Sequence, residues 1–170
     1  MTTLPMPALP ADPVNDADER ATLNDFLDFQ RGVMLRKVAE LDDDGLRRAM
    51  TPSGLTLLGI VKHLAYVERW WFQTVFAGLD VTYPWTDEDP DADWRPESGE
   101  TADEIVALYR QECDRAREVV AAASFDDTCT GPRGETFALR WIVVHMIEET
   151  ARHLGHADIM REAIDGTTGD

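Results

Sequence analysis

Apolar residues recur along most of this chain at steps of three and four, the period of an α-helix that buries one face. Leu23, Phe26, Leu27, Met34, Val38 and Leu41 follow that rhythm and predict a first helix over about 17–40. Asp42-Asp43-Asp44-Gly45 is expected to end it, with a short helical turn over Leu46 to Met50. After the loop Thr51-Pro52-Ser53-Gly54, a second helix is predicted over about 55–78. Leu58, Val61, Leu64, Ala65, Val67, Trp70, Trp71 and Val75 make it apolar on more than one face, so it is expected to be the most buried. An acidic loop broken by Pro84, Pro90 and Pro96 fills 80–100. Thr101-Ala102-Asp103-Glu104 has the spacing of a capping box and opens a third helix running to about 123. Thr128 to Glu135 reads as a turn-rich linker, after which Thr136 is expected to cap a fourth helix over about 137–165, closed by Gly166. No segment reads as a strand. The pattern predicts an all-α protein, a four-helix bundle over residues 17–170, preceded by an extended arm over 1–16 that carries Pro5, Pro7, Pro10 and Pro13.

Composition narrows the class. A length of 170 residues suits one domain, and 44% apolar residues exclude wholesale disorder. The net charge is −17, from 16 Lys+Arg against 33 Asp+Glu, which repels phosphate backbones and anionic lipid and so predicts no nucleic acid and no membrane partner. No apolar stretch is long enough to span a bilayer, and the N-terminus lacks the basic start and apolar stretch of a secretory signal. The expected compartment is the cytoplasm. The two cysteines, Cys113 and Cys129, are isolated and form no redox or zinc motif.

The chemistry concentrates in the last helix. Of four histidines, His145, His153 and His156 lie there. At about 100° per residue, with His145 as zero, Glu149 lies near 40°, His153 near 80° and His156 near 20°. One narrow stripe therefore carries imidazoles and a carboxylate, flanked by Trp141, Val144, Ile147 and Leu154. A divalent metal would account for it, because neutral imidazole and carboxylate are good ligands for zinc and its neighbours. A simpler account also stands: histidines near a helix C-terminus favour the dipole, and Glu148, Glu149, Arg152 and Arg161 can pair on a surface. A third ligand must come from elsewhere, and the candidate is His63, set among apolar residues of the second helix; a lone histidine there can equally be a hydrogen-bonded core residue. Asp89, Asp91, Asp93 and Glu100 mimic a calcium loop, but Trp94 stands where glycine is needed, so an EF-hand is excluded. Five tryptophans are many for this length; Trp70, Trp71 and Trp141 are expected in the core, whereas Trp85 and Trp94 sit in the polar loop, lining a pocket mouth or packing the loop down. Phosphate-binding glycine loops, nucleophile elbows and the diiron Glu-x-x-His pattern are missing.

Gly59-Ile-Val-Lys-His63-Leu, together with Val144-His-Met-Ile-Glu-Glu-Thr-Ala-Arg-His-Leu-Gly-His156-Ala-Asp-Ile, resembles the DinB/YfiT-like metalloenzyme superfamily. More narrowly it is similar to the actinobacterial mini-circle-protein branch, related to mycothiol S-transferases and mycothiol-dependent maleylpyruvate isomerase. The resemblance covers about residues 17–166. It implies a metal held by one side chain from the second helix and two, a turn apart, from the last. Many members end in His-x-x-x-His followed by Arg-Gly-Gln; His153-Leu-Gly-His156 resembles that ending and aligns His153 with the second histidine, while Glu149 stands at the first. The resemblance thus implies His63, Glu149 and His153 as ligands, a set similar to the isomerase branch, with His145 and His156 as auxiliary residues and His156 in place of the usual Gln. It implies one divalent ion, zinc first, with nickel, manganese or iron as alternatives. Three ligands leave an open position where a low-molecular-weight thiol such as mycothiol could be activated against a small electrophile. The implied function is a metal-dependent thiol S-transferase working as a homodimer; the alternatives are a non-catalytic metal-binding or ligand-sensing bundle, or a metal-dependent isomerase or hydrolase.

Overall fold

The computed structural model describes residues 3–169; Met1 and Thr2 of the expected arm and Asp170 of the expected helical domain lie outside the described residues. The chain is mostly helical. Its long helices are α1 (Glu19–Lys37), α3 (Leu57–Glu68), α4 (Ala102–Ala122) and α5 (Leu139–Asp165), with a one-turn α2 (Asp43–Leu46) between the first two. α1 lies along α5, α3 lies along α4, and α3 also meets α5. Leu57, Leu58, Ile60, Val61, Leu64 and Ala65 are fully buried, so α3 runs through the middle of the core, as its apolar faces require.

Local chemistry sets the helix ends. The Asp18 carboxylate accepts from the Ala21 amide at 2.9 Å and the Thr56 hydroxyl from the Gly59 amide at 2.9 Å. At α4 the Thr101–Glu104 capping box forms in both directions. Gly166, in the left-handed region at φ 81°, closes α5.

Four expectations are corrected. Asp42-Asp43-Asp44-Gly45 does not merely stop α1: Asp42 caps α2 by accepting from the Gly45 amide at 2.8 Å, so the short helix ends at Leu46 instead of running from it to Met50. The break before it falls at Glu40, whose φ is 62°. The expected linker is an antiparallel hairpin, β1 (Thr128–Thr130) with β2 (Thr136–Ala138), turned by Gly131 to Gly134. Thr136 therefore sits in a strand and caps nothing; the first amides of α5 are met by backbone, Leu139 N–H donating to Asp127 O and Arg140 N–H to Phe125 O. Trp141 is 47% exposed rather than in the core; it packs at the surface on Phe137 of the hairpin and on Trp71.

The second helix also changes type. From Arg69 to Phe76 it continues as a π-helix, a wider turn that rotates the following side chains relative to an α-helix. The segment is tied to α4 through Glu112, a fully buried carboxylate that accepts from Arg69 at 2.8 Å and from Gln73. The Pro-rich arm packs on α1: Leu4 is buried, the Glu40 amide donates to Leu4 O at 2.9 Å, and Arg36 donates to Pro7 O at 2.6 Å. Among the described residues no helix is long and apolar enough to cross a membrane.

Candidate metal centre

His63 stands in the second turn of α3, facing α5, which carries Glu149 and His153 four residues apart and so on one side of that helix. These three side chains converge. The His153 Nε2 lies 3.1 Å and the His63 Nε2 3.5 Å from the same Glu149 oxygen, and one ligand atom from each residue lies within 4.8 Å of the other two. Metal–ligand bonds of about 2.1 Å at tetrahedral angles place donor atoms about 3.4 Å apart, so the triad has the dimensions of a three-ligand site.

A fourth residue fixes the first. The loop before α4 folds back over α3 and forms a single 3₁₀ turn, Ala92–Trp94. It places Asp93 Oδ2 2.7 Å from His63 Nδ1, and the Trp94 ring stacks on the His63 imidazole at 3.6 Å. An ionised carboxylate only accepts, so Nδ1 carries a proton and the neutral ring presents its lone pair at Nε2. That atom is buried and has no hydrogen-bond partner, yet it faces the Glu149 carboxylate. A lone pair opposed to a carboxylate in a buried place is relieved by a cation between them, either a proton on Nε2 or a metal ion. A carboxylate–histidine pair of this kind is the usual support of a metal-binding imidazole.

The electrostatics agree. Burial pulls the His63 pKa down, but the hydrogen bond to Asp93 and the nearby Glu149 carboxylate outweigh it and raise the value above the ordinary one. The hydrogen bond from His153 and the nearby His63 imidazole hold Glu149 well below the usual carboxylate range. The centre therefore keeps an ionised carboxylate and favours positive charge beside it.

His145 and His156 share the stripe but not the centre. Eleven residues of helix separate them, about 16 Å along the axis. His145 lies against Trp71 and Trp141, with ring centroids at 4.9 and 5.1 Å. His156 is exposed, its ring 5.5 Å from that of His153. Two hollows flank the triad, with Trp94 bordering both. One, of about 540 Å³, is walled by Tyr66, Trp70, Trp71, Trp85 and His145 and reaches His63 and Glu149. The other, of about 500 Å³, is more polar and is lined by Ser53, Asp91, Arg95, His153 and His156.

Neither cysteine offers a nucleophile. Cys113 is buried beside Glu68, and burial pushes its thiol far above the ordinary range. Burial also raises Cys129, whose thiol donates to Phe137 O at 3.6 Å. Sequence reasoning missed Asp93 and Trp94 as partners of His63, because thirty residues separate them from it and no local spacing links them. It also passed over Gly59, where a Cβ would lie 2.3 Å from the Trp94 carbonyl oxygen; a glycine inside an apolar helix is the one signal that something approaches closely there.

A family model described as Mycothiol-S-transferase matches residues 22–166. No curated protein matches the chain.

Proposed function

The chain belongs to the mycothiol-S-transferase family, and from that premise we propose that it transfers a low-molecular-weight thiol, mycothiol, to a small electrophile at a metal held by His63, Glu149 and His153. In this reading α1, α3 with its π-helical continuation, α4 and α5 are the four helices of a DinB-type bundle, the ion is zinc, and the protein acts in the cytoplasm as an isologous homodimer. The observation that carries the proposal is the buried, unpartnered Nε2 of His63, aimed at Glu149 beside His153, in a side chain that borders the aromatic cleft.

When bound, a divalent ion supplies Lewis acidity that lets a neighbouring thiol ionise near neutral pH. The protein's own residues do the rest. Asp93 holds His63 in one tautomer and one orientation. Glu149, with its depressed pKa, stays ionised and does not compete for the thiol proton. Trp94 covers His63 and keeps water from that side. The more polar hollow beside His153 and His156 suits the polar part of the thiol, and the aromatic cleft suits the electrophile. With 1-chloro-2,4-dinitrobenzene as electrophile, the S–H proton passes to solvent, an S–C bond forms, and chloride leaves with the C–Cl electron pair.

The test is elemental analysis of untagged protein followed by a conjugation assay with mycothiol and 1-chloro-2,4-dinitrobenzene. About one zinc per chain is expected. Conjugation should disappear in chelator-treated protein and in His153→Ala, and return when zinc is added back to the wild type. Equal rates in chelated wild type, His153→Ala and untreated protein would overturn the proposal.

A further inference from the structure

The cleft beside the triad has a composition that says what enters it. One aromatic cluster joins Tyr66, Trp70, Tyr83 and Trp85, with Tyr83 and Trp85 stacked at 4.2 Å and Trp85 set edge-on to Tyr66 at 6.0 Å. A second joins Trp71, Trp141 and His145. Both contribute walls to the same hollow of about 540 Å³, within the range of sites for small molecules. The π-helical turn brings the neighbouring Trp70 and Trp71 into the lining together.

Charge is the second observation. Among the described residues no lysine or arginine lines the cleft, whereas Asp93 and Glu149 do. The nearby cations are already paired: Arg69, whose guanidinium lies 5.0 Å from the Tyr66 ring, with Thr82 O and Glu112, Lys62 with Arg95 O and Glu100, and Arg95 with Asp89. The chain's net charge of −17 adds a repulsive field. A carboxylate entering here would lose its water and meet no unpaired cation of the protein in the lining. A flat, uncharged ring would stack on several aromatic faces at once.

We infer that the protein's own lining of this cleft selects uncharged, planar aromatic molecules over their carboxylated analogues, and offers such a compound to the proposed transfer as its electrophile. The inference rests on the transferase reading for the word electrophile only; the binding preference stands by itself.

The test uses a matched pair of unreactive probes, naphthalene-2-carboxamide and 2-naphthoate, titrated into the full chain at pH 8 by ligand-observed NMR. Each titration is run as purified and again after EDTA, and the EDTA ratio decides, since no ion can then capture the carboxylate. The carboxamide is expected to bind about tenfold tighter or more. Trp85→Ala, checked for folding by circular dichroism, should weaken carboxamide binding several-fold. Pro90→Arg, at an exposed position of the lining, should raise naphthoate affinity and narrow the ratio. Equal or tighter naphthoate binding, or a carboxamide affinity unmoved in folded Trp85→Ala, overturns the inference; a ratio unmoved in Pro90→Arg overturns its charge argument. None of these readouts requires turnover, so a failed conjugation assay would sink the transferase proposal and leave this one standing.

Discussion

At the scale of single residues, the informative side chain is Asp93. It is nearly buried, and its hydrogen bond to Nδ1 decides which nitrogen of His63 is free to bind. Asp93→Asn keeps the volume but weakens the acceptor and allows the amide to present a donor. The expected result is a loss of zinc affinity of about 10–100-fold, read by competition with a chromogenic chelator, with turnover recovering at saturating zinc. His156→Ala is the control. Its ring is exposed and lies outside the convergent triad, so zinc content should stay as in wild type. Unchanged affinity in Asp93→Asn would mean that Asp93 does not support the ligand and merely packs against it.

At the scale of elements, the centre depends on how closely a loop can approach a helix. The 3₁₀ turn at Ala92–Trp94 lies directly on α3 because Gly59 has no side chain there. In Gly59→Ala the new methyl would meet the Trp94 carbonyl oxygen at 2.3 Å and the Thr56 hydroxyl at 2.9 Å, so the turn must move. Alanine itself favours the helix by up to about 1 kcal/mol, which offsets part of the damage to stability. The urea midpoint is therefore expected to shift modestly, while zinc affinity falls about tenfold as Asp93 is carried away from His63. A large loss of stability with metal affinity unchanged would contradict this coupling. The π-helix belongs to the same scale. Its extra residue costs backbone regularity, and the buried Glu112 with Arg69 and Gln73 holds it in place.

At the scale of the whole molecule, the strong negative charge and its few neutralising networks govern the response to pH and salt. Asp28 joins α1 to α4: burial would raise its pKa, but hydrogen bonding from Arg117 and the charge of Arg31 outweigh this and lower it. A folded-state pKa below the unfolded one means a stabilisation present above the unfolded value of about 3.9 and lost as pH falls through the folded one. Above that window, protonation toward the isoelectric point near 4.4 relieves repulsion among surface carboxylates. Thermal melts at about 0.15 M salt, where long-range repulsion is screened, should stay level from pH 7 to 5 and fall below pH 4. Asp28→Asn should lower the melting temperature at pH 7 and flatten the acid fall. An acid fall as steep in the variant as in wild type would remove Asp28 from the account.

The sequence by itself determined the helices and the stripe on α5, because both are local: a helix records its buried face as a period of three to four, and Glu149 and His153 are neighbours through that same period. Thr101–Glu104 and Gly166 were legible for a like reason, since caps act over one turn. The family motif pointed to His63. What only the tertiary structure decided is everything that joins distant parts of the chain. Packing of α3 on α5 put His63 against Glu149 and His153 and left His145 and His156 out, because a stripe defined by rotation says nothing of position along the axis. The Thr128–Ala138 hairpin was missed because short strands pair across a turn and leave little periodicity. Asp93, read as an imitation of a calcium ligand, became the partner of His63 only when the 80–100 loop folded onto Gly59; a contact across thirty residues is set by packing, which no local pattern encodes.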